Sequence, residues 1–432
     1  MQLTIRHAAR SGTREPFANR CRGSVRPLLA ALLSIVVASA AAQPVTPLSL
    51  DEALRLAEQR SALIEAADQS VAAARDRAVA GAQLPDPVLR AGVDNVPVEG
   101  ADRFTLGRDF MTMRRIGVMQ EFTGTDKRRL RRERGERAVA REKAVRGVAL
   151  AELRRGVASA WLERAYAAQA SRLVESLLDE LNLQVQTLEA GVRSGRTSAL
   201  DLRAAQAMVI VTQDQLAASR QQESLAARQL TRWLADDAER PAGALPDTDT
   251  LAAGTLESVT DLAHHAELAV AREDEALAET EARLAQRSKS PDWSVEVAYQ
   301  QRGAGFADMV SFGVAVPLPL FAADRQDRGI RASRAALAQA RASREDLERQ
   351  HRAELVSLLD EWQRLGRRIS ALRSSLLPLA KERIDLALAA YRGGSATLAQ
   401  VLDTRRAEVE ARAQVLALQR DRARVWAQLN FR

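Results

Sequence analysis

Residues suited to chemistry are few in this 432-residue chain. His264 and His265 are adjacent, which on a helix puts them on different faces, so they read as a solvated pair rather than a metal site. Met111 and Met113 alternate in a strand-like segment. Two thioethers there could hold soft Cu(I), although packing or loop roles serve as well. His351 stands alone, and no acids cluster at ligand spacing. No catalytic residue, resident metal or cofactor is expected. What remains are polar residues beside two glycine breaks: Arg196 and Asp201 near Gly195, and Tyr391, Ser395, Gln400 and Asp403 near Gly393 and Gly394. Asp403 follows Gln400 by three residues, on one helical face. Three copies of that face around an axis would make an acidic ring that favours cations. On their own, Tyr391 and Asp201 are open to the reading of solvated residues beside a turn.

The elements that position these residues occur twice. The chain reads GVRSGRTSALDLRAAQA around Arg193 and YRGGSATLAQVLDTRRA around Arg392, 199 residues later. Each copy is a glycine break between long Ala/Leu/Arg-rich helical stretches, and each follows a short alternating segment, IGVMQEF at 116–122 and FGVAVPLPLF at 312–321. Such a repeat points to a device built by symmetry. The first copy reads as a helix over about Leu50–Gly81 with Ser49 or Asp51 as cap, strands at Val88–Val96 and Met113–Phe122, a helix from Lys127 to Val192, and a return helix to Leu234. At 1.5 Å per residue the long helix spans roughly 100 Å. The second copy reads as a helix over Leu256–Gln286, a hairpin of Trp293–Tyr299 and Val310–Val316 turning at Gly303 and Gly305, a helix from Asp324 to Arg392, and a last helix from Ala396 to Leu429. Pro378 should kink the second long helix, where the first copy has Asp179.

Charge and composition narrow the class. Six Arg and one acid precede position 43, leaving 57 basic and 55 acidic residues, of which only four are Lys. That balance suits solvated helix faces and argues against a nucleic-acid partner. Aromatic residues make up 4% of the chain, and Ala151, Ala158, Ala165 and Ala170 offer small seams for close helix packing. The apolar run from Leu28 to Ala40 is about 13 residues, short of the roughly 20 that span a bilayer, and Ala-x-Ala sites follow it. The start therefore reads as an export signal, with a short anchor helix as the alternative. Cys21, the only cysteine, precedes that run and would leave with the signal. The organisation expected is a signal at 1–42, a first repeat at 43–240, a linker at 241–255 and a second repeat at 256–432.

The strands carry the strongest physical demand. Trp293, Val295, Val297 and Tyr299 alternate with Ser294, Glu296 and Ala298; Val310, Phe312, Val314 and Val316 alternate with Ser311, Gly313 and Ala315. This suits a membrane β-barrel with Val295, Val297, Phe312, Val314 and Val316 facing lipid. Four strands cannot close alone, so oligomerisation is implied, with three chains giving twelve strands. A small soluble β-subdomain on a helical body shows the same pattern. The competing function class is a secreted coiled-coil scaffold or adaptor without a pore. An adaptor should carry a β-rich lipoyl-like module, and no such segment is visible.

The two-copy plan resembles the TolC family of outer-membrane efflux channels over about 50–432. The resemblance is carried by GRTSALDLRAAQ at 195–206, YRGGSATLAQVLDTRR at 391–406 and the two strand-to-helix junctions. DNVPVEGADRF and DFMTMRRIGVMQEF resemble the branch serving heavy-metal tripartite pumps. The resemblance implies a mainly α fold with a small β part: a homotrimeric helical barrel in the periplasm, capped by a shared twelve-stranded barrel in the outer membrane. It implies a non-enzymatic exit duct partnered by a periplasmic adaptor and an inner-membrane RND-type pump. Heavy-metal cations would be the cargo, with drugs or secreted proteins as the alternative. Gly195, Arg196, Gly393, Gly394 and Ser395 would form the adaptor-contacting tips. Tyr391 and Asp201 match a latch between neighbouring hairpins, and Asp403 matches one ring aspartate. The other ring position is Gln400 and the helping Arg position is Ala396, so closure should be weaker than in relatives that keep both.

Overall fold

The computed structural model describes residues 46–251, 262 and 265–431. The expected export signal, Cys21 and His264 lie outside the described residues. Helices α1 (Leu50–Arg60) and α2 (Ala62–Gly81) lead into strands β1 (Val88–Asp94) and β2 (Met113–Phe122). Helix α3 (Thr125–Arg193) and its return α4 (Ala199–Leu234) complete the first half. The second half repeats the order with α5 (Ala266–Gln286), β3 (Trp293–Gln301), β4 (Met309–Ala315), α6 (Gln326–Ala371), α7 (Leu377–Arg392) and α8 (Leu398–Asn430).

The expected helix over Leu50–Gly81 is broken. Ser61 is extended (φ −74°, ψ 108°), and its hydroxyl accepts from the Ile64 amide at 3.3 Å, capping a new helix. A serine hydroxyl competes for backbone donors in this way and restarts the chain in a new direction. The break lets Arg60 reach the Leu234 carbonyl (2.8 Å) and Asp237 (2.8 Å). The expected helix from Leu256 lies outside the described residues over 256–261 and 263–264; within them α5 begins at Ala266, with His265 extended at its N-cap. A π-helical turn at Leu372–Leu376 separates α6 from α7 just ahead of Pro378, whereas α3 runs unbroken through Asp179. Proline lacks an amide donor and crowds the carbonyl four residues back, and a wider turn accommodates both.

Packing order is the same at every level. The sheet is antiparallel in the order β1-β2-β3-β4. Beside it the helices run α2-α3-α5-α6, and further along α4-α3-α8 followed by α6 and α7. The described chain is therefore a strip four elements wide, with α2, β1 and α4 on one edge and β4, α6 and α7 on the other. The main core surrounds Trp161, fully buried among Leu48, Leu54, Val157, Leu230 and Leu234, with its indole N–H donating to the Leu48 carbonyl at 3.0 Å. A second core joins Leu268, Leu355 and Leu365 to Val415 and Leu429, and a third holds the hairpin ends together through Leu181, Leu188, Leu398 and Leu402.

Trp161→Ala removes the largest fully buried side chain and should cost about 3–5 kcal/mol. The loss should read as a lower thermal or denaturant midpoint of the detergent-solubilised protein.

Candidate functional site

Register assigns the two faces of the sheet. Val297 pairs with Val118 and Phe312, Tyr299 with Ile116 and Val310, and Val295 with Val314. Paired residues share a face. Val295, Val297, Phe312 and Val314 therefore stand together with Leu89, Ile116 and Val118, and Val316 continues the alternation just past β4. This face is exposed in the single chain, with Phe312 at 79% and Val314 at 71%. Phe122 stacks on Trp293 (centroids 4.6 Å) at one end, and Tyr299 lies at the other. Six residues separate the two aromatic levels, about 20 Å of strand.

The opposite face is polar and small. Ser294, Glu296, Ala298, Ser311 and Gly313 share it with Arg90, Gly92, Arg115 and Gly117. Glu296 accepts from Arg90 at 3.2 Å and from Arg115, which also stands 3.8 Å from Asp94. Sequence reading missed Arg90 and Arg115. Opposite signs at cross-strand positions become visible only once the register is known.

The strand-to-helix junction is held from the other repeat. Gly124, the N-cap of α3, has no side chain to cap with. Asp292 supplies the acceptor: its Oδ1 takes the Gly124 amide at 3.0 Å and its Oδ2 the Lys127 ammonium at 3.0 Å. Burial pushes the Asp292 carboxyl up, but the Gly124 amide and the Lys127 charge outweigh it and hold the group below the usual range. A carboxylate at a helix N-terminus also complements the helix dipole.

The two hairpin tips are built alike. Gly195 (φ +69°) and Gly394 (φ +74°) take the left-handed conformation that glycine adopts without penalty. The Arg196 amide donates to the Gly191 carbonyl and the Ser395 amide to that of Ala390, both at 2.9 Å. Ser198 caps α4 and Thr397 caps α8, again 199 residues apart. That offset pairs Asp201 with Gln400, each at the third position of its helix. Gln400 completes a capping box, its Oε1 accepting from the Thr397 amide at 2.9 Å. Arg196 and Gly393 are exposed; Tyr391 packs half-buried on the tip core, Asp201 is half-buried, and Asp403 is exposed. Among the described residues of one chain, no hydrogen bond links Tyr391 to Asp201.

The reading of His265 as solvated is overturned. It is buried, with its ring 5.8 Å from that of buried His351, and His351 Nε2 lies 2.8 Å from Glu267 Oε2. These rings line a cavity of about 260 Å³ between α3, α5, α6 and α8. The sequence placed His265 and His351 on separate helices, and only helix packing brings them together. Among the described residues, no three His, Cys, Asp or Glu side chains form a group that could hold a metal ion.

Residues 260–431 match the family model described as outer membrane efflux protein. A search of curated proteins by sequence finds no match. Among solved structures, the outer membrane protein VceC from Vibrio cholerae aligns at 20% identity and a TM-score of 0.70, covering 88% of this chain and 94% of that one. CusC, described in terms of folding and transmembrane channel formation, aligns at 17% identity and 0.70, covering 88% and 90%. The open state of the MtrE outer membrane channel from Neisseria gonorrhoeae aligns at 18% and 0.69, covering 88% of each. The second repeat thus carries the family's sequence pattern, and the described chain as a whole has the fold of these proteins.

Asp292→Ala should destabilise the protein by about 1–3 kcal/mol, because it strands the Gly124 amide and the Lys127 charge. The folded-state carboxyl titrates below its unfolded value, so its contribution is complete above about pH 4 and is lost as pH falls further. The gap in unfolding midpoint between wild type and variant should be open at pH 7 and narrow towards pH 3.

Proposed function

We propose that the protein is the outer-membrane channel component of a tripartite efflux system, a passive, non-enzymatic exit duct from periplasm to exterior. The observation that carries this reading is the strip's pair of unpartnered edges. Among the described residues the sheet leaves β1 and β4 unpaired on their outer sides, and the helical edges expose Leu200, Ile210 and Val211 on α4 and Leu379 and Leu386 on α7. Three copies joined edge to edge give twelve strands around a polar lumen, with Val295, Val297, Phe312, Val314 and Val316 towards lipid, continued by a helical tube. Among the described residues no helix is long and apolar enough to cross a membrane, so in this reading the strands make the crossing. The partners are two further copies of the chain, a periplasmic adaptor at the tips around Gly195, Arg196, Gly393, Gly394 and Ser395, and an RND-type pump beyond it.

The cargo reading is heavy-metal cations. It is supported by the segments DNVPVEGADRF and DFMTMRRIGVMQEF and the resemblance they carry. The equal TM-scores to CusC and VceC support the broader reading of a duct that passes whatever the pump delivers. Purified protein should run as a trimer in detergent and conduct in planar bilayers. A monodisperse, water-soluble monomer without conductance would overturn the duct.

Closure at the tips is assigned to Tyr391 on one hairpin bonding Asp201 on its neighbour, with Asp403 lining the constriction and Gln400 and Ala396 leaving it loosely held. Tyr391→Phe and Asp201→Asn should each raise bilayer conductance. A hydrogen bond to a charged group contributes about 1.5–3 kcal/mol, equivalent to tenfold or more in a closed–open balance. The double variant should gain less than the sum of the two, and wild-type currents from both single variants would remove the latch.

A further inference from the structure

We infer that Glu296 is a specificity-determining residue of the duct, one that offsets the arginines of the β-barrel lumen and so sets which sign of ion the lumen favours. The inference rests on the duct reading above. It comes from a network that the sequence pattern did not reveal: Glu296 on β3 touches Arg90 on β1, at 3.2 Å, and Arg115 on β2, and Arg115 also faces Asp94.

Space for this network is made by absent side chains. Arg90 reaches Glu296 from two strands away, and the residue between them in register with Arg90 is Gly117. A Cβ on Gly117 would meet the Ala298 Cβ at 2.7 Å, so no larger residue fits beneath the arginine. Gly313 stands in register with Glu296 on its other side, and Gly92 with Arg115. Ala298 is 1% exposed, so charge rather than apolar surface is what this patch presents. Glu296 is the least exposed of the four charged side chains, at 16%, against 50% for Arg90, 30% for Arg115 and 42% for Asp94.

Two guanidinium groups and two carboxylates cancel within the network, and Glu121, which pairs with Ser294 on the same face, adds one negative charge per chain beside it, so three chains present three net negative charges on the lumen-facing strands. Replacing the Glu296 carboxylate by an amide cancels that excess. Replacing one guanidinium doubles it to six negative charges around the ring. A ring of fixed charge in a narrow, low-dielectric pore raises the local concentration of counter-ions and sets which ions pass. Glu296 therefore offsets the arginines of the outer barrel and leaves the lumen-facing strands with a preference for cations.

The test is the reversal potential of single channels in a KCl gradient, for wild type, Glu296→Gln, Arg90→Gln and the double variant, each purified as the full-length assembly. Wild type should favour cations, as the Asp403 ring at the tips would also require. Glu296→Gln should shift the anion-to-cation permeability ratio by about threefold or more towards anions. Arg90→Gln should shift it towards cations, and the double variant should return to wild type. Both shifts should shrink in concentrated salt, where the screening length falls to about 3 Å at 1 M. Opposite signs separate an electrostatic role from a structural one, since damage to the sheet would move both single variants the same way. Unchanged reversal potentials in both single variants, or shifts in one direction, overturn the inference while the duct stands. A wild-type assembly that carries no current overturns the duct itself and the inference with it.

Discussion

Among the described residues, no strand pairs with the outer sides of β1 and β4, which leaves their backbone N–H and C=O groups open there. In water such edges invite pairing with another strand; in lipid each unsatisfied group costs several kcal/mol. Most of the molecule follows from meeting that demand. The strip is four elements wide at every level, and its two edges stay the same from sheet to helices, with α2 and α4 following β1 and α6 and α7 following β4. In the duct reading, joining β4 of one copy to β1 of the next would bring the helical edges together as well. One closure would then satisfy the strand backbones and bury the exposed apolar side chains of α4 and α7 in the same step.

A barrel continued by helices needs a junction where strand hydrogen bonds end and helix hydrogen bonds begin. The first amides of a helix lack intrahelical acceptors, and α3 opens on a glycine that offers none. Asp292, 168 residues away in sequence, supplies that acceptor. The two repeats are thus coupled where the change of backbone geometry is sharpest. The Phe122–Trp293 stack lies at the same level, and in the duct reading the amphipathic indole suits a membrane–water boundary.

At the far end the repeats diverge. Both tips share the left-handed glycine, the carbonyl-bound turn amide and the hydroxyl cap. Asp201 and Gln400 then occupy equivalent helix positions with different chemistry, and Gln400 spends its side chain on the cap. Only the second hairpin has a π-helical turn ahead of Pro378. A widened turn is a place where a long helix can bend, so in the duct reading the α6–α7 arm is the element suited to moving when the tip opens.

Much of this was legible in the residues themselves. The 199-residue offset, the glycine breaks, the capping Ser49 and the alternation from Trp293 to Tyr299 predict the elements to within a few residues. Those signals are local: a cap, a turn or a period depends on residues no more than about four apart. The break at Ser61 was hidden because a serine within a helical pattern reads as one more polar position until its hydroxyl is seen taking an amide. Tertiary structure alone decided the pairing of Arg90 and Arg115 with Glu296, the capping of Gly124 by Asp292 and the burial of His265 against His351. Each joins residues far apart in the chain, and each depends on strand register or helix packing. A one-residue slip would turn Glu296 to the opposite face, so no property of the residue by itself could announce its partners.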